Sequence, residues 1–323
     1  MTFVPAGNDR GSANHETRGT YKTFHLDLSD KGMEKRAVKS LIWVLGAVLL
    51  WPVAPSWAQA EAQTNEAGRV VWPLAGGSLR LEPPNGAGVT MGNWGTIVRN
   101  VEAAKKFWIA MGGTPAKVGG LDVIRFHGAM VFLIPGEPSG GSMGTVADHP
   151  GFQVPNGEEF LAKLKAAGVK TEPNQRNPAQ GYVYSSDDLR VEILEDKSLS
   201  VPIVNHHIHF SLPASSVPEM QAWYAKMFGA QPGMRGTTPL ANLPGVSLRF
   251  STSPEARLPT KGRALDYIGF EVKDLEAFCK KLEAMGVKFE KAYSKSRHPG
   301  FASAELTDPW GTTIQLTEGL NGF

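Results

Sequence analysis

Three of the chain's eight histidines, His206, His207 and His209, fall within four residues. Imidazole is the side chain that both titrates near neutral pH and ligates divalent metals, so the stretch VNHHIHF is the first place to look for chemistry. Strand alternation puts His207, His209 and Ser211 on one face and Ile208, Phe210 and Leu212 on the other. The first face suits a metal or a polar pocket. His206 points the other way and reads as a strand-edge residue bonded to backbone. His127 and His298 have no spacing partner. The single cysteine, Cys279, excludes an intramolecular disulfide and a CxxC metal site, and reads as a packing residue of a helix. No P-loop, HExxH or dinucleotide fingerprint is present, and Gly140-Gly141-Ser142-Met143-Gly144 matches G-x-S-x-G in letters alone, without the helix that a nucleophile elbow opens. Ser139-Gly140-Gly141-Ser142 opens no helix and reads as a flexible loop.

The elements that hold these histidines follow from periodicity. Ser216-Val217-Pro218-Glu219 fits a capping box with Ser216 as N-cap. Met220, Trp223, Tyr224, Met227 and Phe228 then form a core-facing helical stripe, closed by Gly229. This strand-helix unit occurs four times. FWIAMGGTP at residues 107–115 echoes WYAKMFGAQP at 223–232, and the helices align at a constant offset of 116. Phe152 to Gly168 aligns with Phe270 to Gly286 at a constant offset of 118, with Asn156 and Asp274 as N-caps. Gapless matches on two pairs of helices indicate tandem duplication. Short alternating segments between the helices read as antiparallel strands. The fold class is therefore α+β, two domains of paired βαβββ modules at 89–197 and 201–321, preceded by a Pro- and Gly-rich linker at 61–88.

The first sixty residues have another logic. Met33-Glu34-Lys35-Arg36 with Lys39, an apolar run from Leu41 to Val53, and Ala58-Gln59-Ala60 read as a secretory signal peptide with cleavage before Glu61. The run is too short for a comfortable membrane span. Residues 1–32 are polar and aperiodic, and read as an extension ahead of a start at Met33. The mature chain is expected to be secreted or periplasmic, with no stable membrane anchor. A net charge of +2 without a basic stripe argues against a nucleic-acid partner.

The chain resembles the vicinal oxygen chelate superfamily, the glyoxalase/bleomycin-resistance/extradiol-dioxygenase group. His207-Ile208-His209-Phe210, the segment Leu265 to Val272, and Asp308-Pro309-Trp310-Gly311 leading to Leu316 carry the resemblance. It implies half-open, mainly antiparallel barrels, each able to hold a divalent metal between the first strand, the strand before the second helix and the last strand. Mapped onto this chain, those positions are Asn93, His149 and Glu192 in the first domain. In the second they are His209, Tyr267 and Gln315, with His207 beside them. Tyr and Gln are poor replacements for His and Glu: a phenol ionises near pH ~10 and an amide brings no charge. The metal is therefore expected on His149, Glu192 and Asn93, and the second domain supplies a pocket of His207, His209, Tyr267 and Gln315. A mixed site, in which His207 or His209 joins His149 and Glu192, is the other arrangement.

The function implied is that of a glyoxalase-like lyase or isomerase using zinc, manganese, nickel or iron on a small vicinal-oxygen substrate. A ring-cleaving dioxygenase ranks below it, because neither domain carries two histidines and a carboxylate at the mapped positions. The alternative is a non-catalytic small-molecule-binding protein with no metal. A homodimer that exchanges halves is compatible with either.

Overall fold

The computed structural model describes residues 80–323, together with the backbone of a small ribbon that pairs Gln63–Thr64 (β1) with Val70–Val71 (β2). The segment read as a signal peptide, the extension before it and most of the linker lie outside the described residues. Four βαβββ modules follow. The first is β3 (Val89–Val98), α1 (Val101–Ala110), β4 (Thr114–Val118), β5 (Leu121–Phe126) and β6 (Ala129–Pro135). The second is β7 (Ala147–Val154), α2 (Gly157–Ala166), β8 (Lys170–Asn174), β9 (Asn177–Tyr184) and β10 (Arg190–Glu195). The third is β11 (Val204–Leu212), α3 (Ser216–Phe228), β12 (Gln231–Arg235), β13 (Thr238–Leu243) and β14 (Val246–Thr252). The fourth is β15 (Tyr267–Val272), α4 (Leu275–Ala284), β16 (Phe289–Lys295), β17 (Ala302–Thr307) and β18 (Thr313–Glu318).

Local chemistry sets the helix ends. Asn100, Asn156 and Asp274 each accept a hydrogen bond from the backbone N–H three residues on, which satisfies a donor the helix leaves unpaired. Gly229 closes α3 at φ 70°, a left-handed conformation that favours glycine. Ser216 is not the cap expected of it: α3 already begins there, and Ser215 before it makes no capping bond. Cys279 is buried, as a packing residue should be.

The strands form two eight-stranded sheets, in the orders β12-β13-β14-β11-β7-β10-β9-β8 and β16-β17-β18-β15-β3-β6-β5-β4. Pairing is mainly antiparallel, with parallel pairs only where a module's first strand lies beside its last. The α+β class holds, but the sheets do not follow the halves 89–197 and 201–321. One sheet joins the second module to the third, and the other joins the first to the fourth. The reason is that each sheet is made by two first strands running antiparallel, β7 with β11 and β3 with β15. Sequence offsets identify which modules are copies, not which edges meet. Both sheets close within one chain, so completing them needs no exchange of halves.

Two crossovers carry the chain between sheets, residues 136–146 outward and 253–266 back, and they bond to each other. Ser139 N donates to Gly262 O (2.8 Å), Ala264 N to Gly140 O (2.9 Å) and Val146 N to Leu258 O (2.9 Å). The Ser139–Ser142 segment is thus tied into this ladder rather than free, with Ser142 fully buried. The core lies where helices and outer sheet faces meet. Trp94 stands edge-on to Phe152, Trp108 to Phe126, and Tyr224 to Phe270. Tyr224 also donates to Asp308 Oδ2 at 2.9 Å, joining α3 to the turn before β18.

Because each half contributes modules to both sheets, neither half can satisfy its own first strands. Fragments 61–200 and 201–323, produced separately, are expected to give no cooperative thermal transition as monomers. Mixed at equal concentration, they are expected to co-elute as a one-to-one complex and recover one. Circular dichroism with size-exclusion chromatography checks this.

Candidate metal centre

The β7–β11 pair builds the site. His209 lies directly opposite His149, and His207 opposite Gly151. Glu192, on β10, is in parallel register with the same Gly151. Four side chains therefore converge over one glycine: the ligating atoms of His149, Glu192, His207 and His209 all lie within 4.8 Å of one another. Gly151 is required there. A Cβ at that position would stand 2.0 Å from the His207 ring. The register of β11 also shifts around His206, which turns consecutive histidines toward each other. His206 Nδ1 is 2.9 Å from His207 Nδ1.

Each imidazole has one nitrogen engaged and one left over. His149 Nδ1 is 2.7 Å from Asp148 Oδ1, His207 Nδ1 faces His206, and His209 Nε2 is 2.6 Å from Ser251 Oγ. The remaining nitrogens, His149 Nε2, His207 Nε2 and His209 Nδ1, are buried, and His149 Nε2 and His209 Nδ1 have no hydrogen-bond partner. The two Nε2 atoms face the Glu192 carboxylate, whose Oε2 is 2.9 Å from His207 Nε2 and 3.6 Å from His149 Nε2. One nitrogen fixed from behind and the other turned into the cluster is the arrangement of metal-ligating histidines. Buried unpaired polar atoms are otherwise costly and rare. These residues fit a divalent cation.

Electrostatics agree. Burial lowers His207 to about 4 and His209 to about 3, so both are neutral, as ligands must be. Burial alone would raise Glu192, but the His149 and His207 rings outweigh it and hold the carboxyl well below its usual range. Burial likewise opposes the ionised Asp148, yet His149 and Arg190 hold it at about 2. Arg190 pairs with Asp148 and lies over the Tyr182 ring, 4.7 Å from its centroid. A cleft of about 250 Å³ opens from the centre past His209 and Glu192, between Gln180, Arg235, Thr238 and Arg249.

The sequence expectation is corrected on Asn93, Tyr267 and Gln315. All three lie in the other sheet, on β3, β15 and β18. There the register is the same but the residues differ. Tyr267 stands opposite Gly95 as His149 stands opposite His209, and Gly269 opposite Asn93 as Gly151 opposite His207. Asn93 is therefore the counterpart of His207, not of His209. The strand offset is 114, from Gly95 to His209, whereas the helix faces align at 116. The third module holds two more residues between strand and helix face, and a two-residue slip hides itself by keeping every side chain on its face. The space that holds the metal donors in one sheet is filled here by the Tyr267 ring, which lies where a Cβ on Gly95 would be, 2.1 Å from Tyr267 Cε1. Its hydroxyl meets Gln315, and burial raises it far above the usual phenol range.

The structure brings together His149, Glu192, His207 and His209, the mixed arrangement. Sequence reasoning misses Asp148 and Ser251, which orient His149 and His209. Asp148 is visible as an acid adjacent to His149. Ser251 carries no signal before strand pairing is known.

Comparison with known proteins fits this geometry. Residues 206–316 match the family model of the Glyoxalase/Bleomycin resistance protein/Dioxygenase superfamily. No curated protein matches the sequence. Among solved structures, glyoxalase I from Zea mays is similar at 13% identity with a TM-score of 0.57, covering 72% of this chain and 94% of that one. A point mutant of the same maize enzyme is similar at 12% identity, TM-score 0.57, covering 73% and 95%. A putative dioxygenase from Bacillus subtilis is similar at 14% identity, TM-score 0.53, covering 71% and 85%. At these identities the likeness establishes the shared fold.

Two outcomes follow from the geometry. Gly151→Ala is expected to displace His207 and weaken metal binding at least tenfold, whereas Gly168→Ala, where a Cβ meets nothing within 4 Å, leaves it unchanged despite some backbone strain. Metal titration of both variants checks this. Second, the unfolded chain protonates His207 and His209 below about pH 6.5, while the folded metal-free chain resists until about 4 and 3. The unfolded state then binds more protons, so apoprotein stability falls as pH drops from 6.5 toward 4. The slope is at most about 1.4 kcal/mol per pH unit for each histidine. Urea unfolding at pH 7, 6 and 5 measures it, and a flat profile contradicts the buried neutral pair.

Proposed function

We propose that this chain, which has the fold of glyoxalase I and matches the Glyoxalase/Bleomycin resistance protein/Dioxygenase superfamily over residues 206–316, is an exported metal-dependent enzyme acting on a small substrate through vicinal oxygens. The observation that carries this reading is the convergence of His149, His207, His209 and Glu192, whose ligating atoms all lie within 4.8 Å of one another. His149, His209 and Glu192 would hold the ion, with His207 as a fourth donor beside Glu192. Mixed imidazole and carboxylate donors suit zinc, manganese, nickel or iron(II). When bound, such an ion supplies Lewis-acid polarisation of substrate oxygens.

The chain's own residues do the rest. Asp148 and Ser251 fix the rings of His149 and His209. His207, neutral at working pH, faces Glu192 Oε2 and keeps that carboxylate oriented and unprotonated. The cleft beside His209 and Glu192 receives the substrate. A lyase or isomerase of glyoxalase type is the leading reaction class. A ring-cleaving dioxygenase becomes a genuine second reading. The objection to it is that neither half holds two histidines and a carboxylate, but His149 and Glu192 meet His209 across the boundary between halves. The metal-free binding alternative rests on Tyr267 and Gln315, which lie in the other sheet and say nothing about this centre. Export rests on the signal-peptide pattern at residues 33–60.

Metal analysis of the purified mature protein tests the reading. After loading with zinc, manganese, nickel or iron(II), about one ion per chain is expected to survive desalting, as for a preformed multidentate site. His149→Ala, His209→Ala and Glu192→Ala should each reduce this below about 0.1, and His207→Ala should weaken binding about 10–100-fold. Asn93→Ala and Gln315→Ala should leave it intact. Wild-type protein that retains less than about 0.1 ion with every metal overturns the metalloenzyme reading.

A further inference from the structure

The cleft beside the metal centre is built of donors. Arg249 stands on β14 in register with His209 and donates to His206 Nε2 at 3.3 Å, which fixes its guanidinium at the cleft wall. Arg235 ends β12 and pairs with Thr238 across a two-residue turn, where Gly236 adopts φ 59°. That turn aims both residues into the same cleft. Gln180 adds an amide from β9 on the opposite wall. The only carboxylate lining the cleft among the described residues is Glu192, and it already faces the histidines. Arg190 pairs with Asp148. Leu194 is the one apolar lining residue among those described.

A divalent ion and two guanidiniums against one carboxylate leave the cleft positively charged. Positive clefts concentrate anions, and guanidinium forks match carboxylates in two parallel hydrogen bonds. The scarcity of apolar lining argues against a large hydrocarbon or aromatic body, and about 250 Å³ argues for a small molecule. We propose that the substrate is a small polar molecule carrying a carboxylate next to its vicinal oxygens, and that Arg235 and Arg249 read that carboxylate. This deepens the metalloenzyme reading and rests on it for the chelating oxygens alone.

The test compares glycerate with glyceramide, which share a vicinal diol and differ only in the anionic group. Binding to zinc-loaded protein is measured by calorimetry, with zinc content checked before and after. Glycerate is expected to bind at least tenfold tighter. In the Arg235→Gln/Arg249→Gln double variant the preference should fall toward twofold with zinc retained. The single variant Arg235→Gln, at an exposed position that folding does not depend on, should lose at least half of it. Equal binding of the two probes to the wild type overturns the proposal. So does a preference that survives in the double variant, since the zinc alone would then read the carboxylate. Glycerol phosphate binding ten times more tightly than glycerate overturns it in favour of a phosphate. If the wild type holds no zinc, the metal reading fails separately, and the glycerate preference measured on that zinc-free protein still decides the arginine assignment.

Discussion

The register between β7 and β11 is the constraint from which the rest of the site follows. It sets His149 against His209 and His207 against Gly151, and through the parallel β7–β10 pair it brings Glu192 over the same glycine. Because side chains alternate with a period of two, a slip of β11 by one residue would turn His207 and His209 away from His149 and Glu192. Nothing local prevents such a slip. What pins the register is the apolar set on the other face: Ile208 and Phe210 are fully buried, as are Phe152 and Val154 on β7. Burying those residues stabilises the sheet and, by the same geometry, turns the imidazoles inward. The chemistry is thus specified by the core behind it.

The other sheet shows how the same register is made silent. Its pairing is the same, yet the donors are gone, and the vacated space is occupied. Gly95 stands where the other sheet has His209, and the Tyr267 ring covers it. Gln315 replaces a carboxylate without the charge that would have needed a cation. Further along that face, Glu305 on β17 is held by Lys261 and Lys291, so its charge is met within the protein. An ionised group with protein partners needs no ion. Glu192 instead meets His207, which burial keeps neutral, at 2.9 Å. That difference in compensation, more than the change of residue type, separates a metal centre from its inert copy.

The sequence carries the modules clearly and their partners poorly. Helix stripes, Asn156 and Asp274 caps and the terminal glycines recur at fixed offsets because each is a local requirement of a helix. Which first strands pair is a long-range choice that no offset encodes, so sequence offsets give His149 and Glu192 a partner, Asn93, from the wrong sheet. The mapping of Asn93 onto His209 fails for a smaller reason. A two-residue difference between strand and helix changes the counterpart while preserving the face, so the alternation pattern gives no warning. His207 and His209 are conspicuous in the sequence itself. Asp148 and Ser251, which decide what nitrogen each ring presents, become readable only once the pairs exist.

The centre is also where the fold gives up stability. Two buried nitrogens without partners, His149 Nε2 and His209 Nδ1, and a largely buried carboxylate each carry a desolvation cost, on the order of 1–3 kcal/mol for an unsatisfied group. A structure tolerates this when the surrounding core over-determines it, and here two sheets and the bonded crossovers do so. A cation that meets all four groups removes those costs together, and because the unfolded chain offers no such array, its binding adds directly to folding stability. The same burial that weakens the empty site therefore strengthens the filled one: it keeps His207 and His209 free of protons, and it keeps water from competing for the ion.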